Sequence, residues 1–186
     1  MKTNKLSKFL IAAALLSGTS LIHAAGNQGQ GSGQVKFHGY IIDAPCSIVS
    51  DDPILVEFGQ ISKRVLAGGG KSHIEPFQIE LADCDFSDPV FSKQQVAVTF
   101  SYTDAGTVGN GPDLIGLDGI PNSGAGVAIV SGNTQVQNGQ PLPVQKLQTG
   151  PNTLEFSSFV QGLDDPDQPV QEGEFYANAN FTLDYK

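Results

Sequence analysis

The sequence has few of the side chains that enzymes use for catalysis or for metal binding. Its 186 residues include three histidines, two cysteines and no tryptophan. There is no G-x-S-x-G motif around a serine and no H-E-x-x-H zinc motif. His38 and His73 stand alone, and such histidines are usually surface residues because a catalytic base needs partner groups around it. We therefore expect no enzyme activity, no metal site and no cofactor.

Positive charge is also scarce outside the first few residues. The whole chain carries a formal net charge of −9, and three of its ten basic residues are Lys2, Lys5 and Lys8. Without those three lysines the net charge is −12. Nucleic acids and anionic membrane surfaces repel a protein surface of this sign. Neither is expected as a partner.

The first 24 residues have the layout of a secretory signal peptide. The three lysines precede an apolar run, Phe9 to Leu16, and small residues follow at Ala24 and Ala25. The run is shorter than the roughly 17–25 apolar residues that span a bilayer. The pattern predicts an exported protein that does not insert into the membrane, with cleavage after Ala24 or Ala25.

The exported part of the chain has two cysteines, Cys46 and Cys84. In an oxidising compartment a disulfide is the default for two cysteines exported together. A metal pair or a reactive thiol is the alternative, but a metal site would need more sulfur or imidazole ligands than the chain supplies. On the chain-entropy estimate, such a bond stabilises the fold by roughly 3–4 kcal/mol.

The remaining sequence is typical of an all-β sandwich with Greek-key connections. Short segments with period-2 alternation recur between stretches rich in Gly, Pro, Asn and Asp. Residues 106–119 are interpreted as a loop, and residues 164–169 as a solvated turn rather than a calcium loop. The predicted strands are 34–42, 54–59, 74–81, 95–102, 126–132, 154–160 and a terminal strand from Phe175.

The amino-terminal segment has two interpretations that the pattern leaves open. Residues 25–33 form a Gly/Gln/Ser tract that cannot bury itself and should be flexible. It leads into the alternating residues Val35, Phe37, Gly39 and Ile41. This segment is either an ordinary first strand behind a frayed terminus or a detachable strand that pairs outside its own domain.

The terminal segment alternates apolar and polar residues through to the last position. A strand there would have a buried face and an unpaired edge, and unpaired edges invite association. Addition of a strand from another molecule would satisfy the edge and fill the apolar positions. The apolar positions of this segment are Phe175, Ala177, Ala179, Phe181, Leu183 and Tyr185.

These features together resemble a known family. The quoted stretches are "GQVKFHGYIIDAPCSI" (33–48), "FGQISK" (58–63) and "IELADCD" (79–85), followed by a glycine fourteenth from the end and a penultimate tyrosine, Tyr185. In this order, with a signal peptide and two cysteines, they resemble subunits of chaperone–usher fimbriae. The chain is most similar to P-pilus-type major pilins.

The resemblance implies an incomplete immunoglobulin-like β-sandwich that lacks its final strand and is completed by a donor strand from another chain. It implies a signal peptide (1–24), a donor extension (25–42) and a pilin domain (43–186). The implied function is that of a structural subunit, polymerising by donor-strand exchange into an adhesive fibre on a Gram-negative cell surface. A major rod subunit is the first reading, and a minor adaptor or tip-proximal subunit is the alternative.

The resemblance also implies roles for individual residues and partners. Cys46 and Cys84 would form the structural disulfide, and Gly39 would be the donor glycine, where no side chain fits. The implied partners are a periplasmic chaperone that holds the carboxylate of Lys186, an outer-membrane usher, and identical or related pilins. The implied donor positions are Gly33, Val35, Phe37, Gly39 and Ile41. The implied acceptor and chaperone-binding positions are Gly173, Phe175, Ala177, Ala179, Phe181, Leu183, Tyr185 and Lys186.

Overall fold

The computed structural model describes residues 33–107 and 113–186. The predicted signal peptide and its cleavage site lie outside these residues. The chain divides into two units between Ile41 and Ile42. Residues 33–41, the described part of the first unit, contain no helix or strand. The strand predicted over 34–42 is therefore absent from the single chain.

The second unit is built almost entirely from strands. Within the described ranges there is no helix long and apolar enough to cross a bilayer. The helical turns are α1 (Lys63–Leu66) and two 3-10 turns, Ala67–Gly69 and Pro89–Phe91. The strands are β1 (Ser47–Ile48), β2 (Glu75–Cys84), β3 (Gln95–Tyr102), β4 (Asp104–Thr107), β5 (Asp113–Ile115), β6 (Ala125–Ser131), β7 (Thr134–Gln135), β8 (Gln145–Lys146), β9 (Gly150–Gly162) and β10 (Ala179–Tyr185).

The strands form two antiparallel sheets. The larger sheet has the order β1-β2-β9-β6-β5-β4, with β7 also paired to β6, and the smaller sheet has the order β10-β3-β8. The longest pairing joins β2 to β9, from Glu75 opposite Ser158 to Leu81 opposite Asn152. Because side chains alternate along a strand, one face of each sheet is apolar and points at the other sheet.

The core lies between the two sheets. Ile79, Leu154, Val96 and Val98 are almost completely buried there. The ring of Phe100 in the small sheet stands edge-on to the ring of Phe156 in the large sheet, with centroids 5.2 Å apart. Aromatic pairs of this geometry add to the free energy gained from burial. The two sheets are therefore joined by one continuous apolar interior.

One sequence-based interpretation is wrong. The glycine-rich pattern of residues 106–119 predicts a loop, but these residues contain β5, whose residues Leu114 and Ile115 are buried. Leu114 packs with Phe159 and Leu163 in a second, smaller apolar cluster. A strand of three residues is too short to show an alternating pattern, and the glycines around it favour a loop.

Candidate functional site

Strand β10 has a hydrogen-bonded neighbour on only one side. It pairs with β3 along its whole length, from Ala179 opposite Tyr102 to Tyr185 opposite Val96. No strand of the described residues pairs with its other edge. An edge strand of this length leaves a row of backbone groups available to another chain.

The register of β10 on β3 shows which backbone groups face this free edge. The Lys186 N–H donates to the Gln95 carbonyl at 2.9 Å. The direction of the backbone groups alternates along an antiparallel ladder. The N–H and C=O groups of the even-numbered residues of β10 therefore point to β3, and those of the odd-numbered residues point away from it. In agreement, the Val98 carbonyl, opposite Leu183, accepts from the Leu142 N–H on the far side of β3. The N–H and C=O groups of Ala179, Phe181, Leu183 and Tyr185 therefore point to the free edge.

The side chains of the same residues point into the sandwich. Along β10 the odd-numbered residues are partly buried and the even-numbered residues are exposed. The alternation continues upstream, where Tyr176 exchanges two backbone hydrogen bonds with Asp118, at 2.9 and 2.7 Å. The backbone groups of Phe175 and Ala177 thus point to the free edge in the same way, and the side chains of both residues pack against the core. The predicted acceptor residues from Phe175 to Tyr185 share one edge and one face.

A second unpaired segment, residues 53–61, packs on the same core. It contains no helix or strand, and its residues make no backbone hydrogen bond to any other described residue. Val56 and Phe58 are partly buried and Glu57 between them is exposed, the alternation of a strand. The strand predicted over 54–59 is therefore present as a pattern but not as a hydrogen-bonded strand.

The two unpaired segments meet at one end. The rings of Phe58 and Phe175 lie 6.4 Å apart, centre to centre. Lys63 lies shortly after Phe58 in the sequence and Glu172 shortly before Phe175, and the Lys63 ammonium forms an ion pair with the Glu172 carboxylate. The hydrogen bond and the charge of Lys63 hold the pKa of Glu172 below its usual value. Segment 53–61 therefore lies beside the start of the strand that leads into β10.

These observations define a place where a strand is missing. Paired neighbouring strands lie about 4.7–4.9 Å apart and exchange hydrogen bonds. Residues 53–61 and 175–185 pack on one core and exchange none. We call the place between them the open strand position. A strand inserted there would gain a ladder with β10 and bury its alternate side chains against the core.

The predicted donor residues lie in the first unit. Val35, Phe37 and Ile41 are strongly exposed, with 93% of the Phe37 side chain accessible. A Cβ added at Gly39 would meet no atom within 4 Å in the single chain. Among the described residues, nothing therefore requires a glycine at that position. The assignment of these residues as a donor strand stays a prediction.

The predicted disulfide is present. Cys46 and Cys84 are bonded, both are buried, and their Cα atoms are 4.1 Å apart. The bond joins the residue before β1 to the last residue of β2. Because β1 has only two residues, this bond fixes the chain shortly before residues 53–61. No group of three or more metal-ligating side chains is clustered within the described residues.

Comparison with known proteins agrees with this geometry. Residues 35–186 match the model of the fimbrial protein family. The chain belongs to this family. It is 39% identical over 184 residues to the fimbria A protein of Serratia marcescens, covering 98% of this chain and 99% of the relative. It is 36% identical over 188 residues to the major MR/P fimbria protein of Proteus mirabilis, covering both chains in full.

Solved structures show the same fold. The P pilus rod subunit PapA superposes with a TM-score of 0.66 at 29% identity, covering 77% of this chain and all of PapA. A chain of a chaperone–usher pilus rod superposes with a TM-score of 0.75 at 31% identity, covering 87% of this chain and all of that one. The predicted incomplete immunoglobulin-like sandwich is confirmed.

Membership of this family settles the broad function. The chain is a structural fimbrial subunit and not an enzyme. It is exported and assembles with other pilin subunits into fibres on the cell surface.

Sequence reasoning missed one side of the site. Phe58, Lys63 and Glu172 were not among the predicted site residues. The alternation in residues 54–59 was visible and predicted a strand, but nothing in it indicated which strand lies opposite. That information comes only from the contact between Phe58 and Phe175.

Proposed function

We propose that the chain polymerises by donor-strand exchange as the major subunit of a fimbrial rod. Residues 25–42 of one copy supply the donor strand, with Gly33, Val35, Phe37, Gly39 and Ile41 facing inward. The strand fills the open strand position in residues 43–186 of the next copy. The observation that carries the proposal is the free edge of β10, whose unpaired backbone groups and inward side chains belong to the same residues.

The energetics support a long-lived contact. Burying Val35, Phe37 and Ile41 contributes roughly 1.5–3 kcal/mol for each side chain. Each backbone hydrogen bond adds about 0.5–1.5 kcal/mol. Dissociation would have to break the whole ladder, so the contact persists for kinetic reasons. Because donor and acceptor are different surfaces, the contact does not close on itself and propagates as a fibre.

The same geometry explains why temporary partners are needed before assembly. A free strand edge and partly exposed apolar residues favour uncontrolled association. A periplasmic chaperone that lends a strand to β10 would cover both features. An outer-membrane usher would then be the place where the donor of the next subunit replaces the chaperone strand. The 1–24 signal peptide would deliver the chain to this pathway, and the finished fibre would serve adhesion.

Complementation between two defective chains tests the proposal. Phe37→Arg should disable the donor and leave the acceptor intact, because arginine at an inward position buries an unpaired charge. Ala179→Arg should disable the acceptor and leave the donor intact. Each chain expressed alone should form no fibre. Expressed together they should form dimers and nothing longer, as measured by size-exclusion chromatography of periplasmic extracts.

Val90→Arg is the matched control, because Val90 is exposed and lies outside both segments. It should assemble normally. Fibres of normal length from Ala179→Arg alone would contradict the proposal.

A further inference from the structure

A polar cleft lies at one corner of the second unit, where three parts of the chain meet. It has a volume of about 290 Å³. Its walls come from the start of β4, from the loop between β5 and β6, and from the connection between β9 and β10. The polar side chains that line it include Thr103, Asp104, Asp118, Asn122, Gln168 and Asn178. None of these six belongs to the residues that face the open strand position.

The walls of the polar cleft are held together by backbone contacts. The Gly116 N–H donates to the Thr103 carbonyl at 2.7 Å, and the Leu163 N–H donates to the Gly124 carbonyl at 2.8 Å. Gly124 has a φ of +63°, and a Cβ at this position would overlap the carbonyl oxygen of Gln168. Only a glycine allows these two walls to approach so closely. The cleft is therefore formed by the fold itself, as ligand-binding pockets usually are.

Several polar groups of the cleft have no partner in the described part of the chain. Within those residues, no side-chain hydrogen bond holds Asp118, Asn122 or Asn178, and all three are exposed. Asp104 differs, because its Oδ1 accepts from the Asn138 amide at 2.9 Å. That bond orients the Asp104 carboxylate, which has a second oxygen able to accept. The cleft thus offers carboxylate and amide groups that a ligand can use.

The charge of the cleft limits the class of ligand. Asp104 and Asp118 are acidic, and no lysine, arginine or histidine is among the described residues that line it. Anionic ligands are therefore repelled. A calcium ion takes six to eight oxygen ligands at about 2.3–2.6 Å, and no group of three or more metal-ligating side chains is clustered within residues 33–107 and 113–186. An uncharged ligand with many hydroxyl groups fits this lining better than an anion or a metal ion.

We propose that the polar cleft binds one uncharged sugar residue, a role beyond that of a structural subunit. The carboxylates of Asp104 and Asp118 accept hydrogen bonds from sugar hydroxyls, and bonds to an ionised acceptor are about twice as strong as neutral ones. The side-chain amides of Asn122 and Asn178 both donate and accept, so each can bond two adjacent hydroxyls. The lining therefore favours ligands that present several hydroxyl groups close together.

The floor and the rim of the cleft suit the carbon side of a sugar ring. Ile120 and Leu163 are buried and Leu117 is partly buried. Tyr176, whose backbone is bonded to that of Asp118, is 62% exposed beside the rim. Apolar and aromatic surface with a few placed polar groups is typical of small-molecule sites, whose volumes begin at about 300 Å³. At about 290 Å³ the cleft has room for a single sugar residue.

Filling the open strand position leaves the cleft intact. Asn178 is exposed, whereas its neighbours Ala177 and Ala179 pack against the core that an inserted strand would cover. A fibre therefore carries one cleft for each subunit, however the subunits are joined. Many weak sites on one fibre bind a sugar-coated surface far more tightly than one site does.

Saturation-transfer NMR on purified wild-type fibres tests the proposal. The probes are the methyl glycosides of glucose, galactose, mannose and N-acetylglucosamine, with the methyl glycoside of sialic acid as the anionic comparison. One or more of the four uncharged glycosides should bind, and the sialoside should not. Asp118→Asn should weaken that binding by more than about tenfold, because it replaces a charged acceptor by a neutral one. Asn178→Ala should weaken it by about two- to tenfold.

Asn180→Ala is the matched control, because Asn180 is exposed on the same side of the terminal segment but does not line the cleft. Asp51→Asn controls in the same way for the loss of a negative charge at an exposed position. Both variants should bind the glycoside as the wild type does. Assembly into fibres shows that a variant has folded, and if Asp118→Asn forms no fibres, Asn178→Ala decides.

Each of the opposite results would overturn the proposal. They are the absence of binding by all four uncharged glycosides, equal binding of the sialoside, and equal binding by the Asn178→Ala and Asn180→Ala fibres. Calcium chloride that binds the wild-type fibres but not the Asp118→Asn fibres, with no glycoside bound, would make the cleft a cation site instead. Donor-strand exchange is decided separately, by the complementation of two defective chains.

Discussion

The paired strands β2 and β9 differ from strand β10 in the partners that the chain provides for them. All of these segments alternate apolar and polar residues. In the β2–β9 pair, Ile79 and Leu154 face each other in the ladder and are buried. In β10, Phe181 and Leu183 alternate equally well but stay only partly buried. The comparison teaches that an alternating pattern indicates which side chains are buried in the assembled protein. A single chain does not have to bury all of them by itself.

The largest expected effect concerns burial. Leu154→Ala should lower the free energy of unfolding by about 2–5 kcal/mol, because the cavity lies in a closed core. Leu183→Ala should lower the free energy of unfolding by less when the open strand position is empty. The loss should become larger when a peptide of residues 25–42 covers the Leu183 side chain. Urea unfolding with and without the peptide measures both, using the Phe37→Arg chain so that it cannot donate to itself.

In that experiment Leu154→Ala is the control, since its cost should not depend on the peptide. An equal cost of Leu183→Ala in both conditions would show that the core is already complete in one chain.

A second prediction follows from the direction of the backbone groups. The amide hydrogens of Phe181 and Leu183 point to the free edge and should exchange with solvent rapidly. Those of Thr182 and Asp184 point to β3 and should exchange slowly. Adding the peptide of residues 25–42 should slow the amide hydrogen exchange of Phe181 and Leu183 by more than about tenfold. Hydrogen exchange followed by NMR would measure this, and uniform rates along β10 would contradict the register with β3.

The smallest effect compares two tyrosines of the small sheet. Burial, with the charges of Asp104 and Asp113, raises the pKa of Tyr102 to about 12. Its hydroxyl donates to the Asp113 or the Val136 carbonyl, at 3.3 and 3.4 Å. Burial alone raises the pKa of Tyr185. Both tyrosines are partly buried, but Tyr102 is held by hydrogen bonds to residues of its own chain, whereas Tyr185 lies on the free edge of β10.

For Tyr102 the folded-state pKa lies above the unfolded value of about 10. The unfolded state therefore loses its proton first, and the free energy of unfolding should fall as the pH rises from about 10 towards 12. Tyr102→Phe should remove this part of the alkaline loss. The peptide should raise the pKa of Tyr185 further and leave that of Tyr102 unchanged, as followed by phenolate absorbance. A shift of both would contradict the difference between the two sites.

Long alternating segments of the fold could be predicted, and short ones could not. Residues 95–102 alternate over eight positions, and β3 has those bounds. Strand β5 has three residues, fewer than an alternating pattern needs, so the sequence predicts a loop in its place. In the terminal segment, the inward-facing residues from Phe175 to Tyr185 could be predicted, because alternate positions of a strand share one face. The contact of Phe58 with Phe175 could not be predicted, since it joins residues more than a hundred positions apart in the sequence.

The sequence by itself determined which residues face inward along each long strand, which two cysteines are joined, and that the amino-terminal tract is too polar to bury itself. These properties depend on local alternation, on the number of cysteines and on composition, all of which can be read along the chain. Only the tertiary structure decided that, among the described residues, β10 pairs with β3 alone, and that Phe58 of residues 53–61 contacts Phe175. Pairing between distant segments depends on how two sheets pack around one core, and no local pattern carries that information.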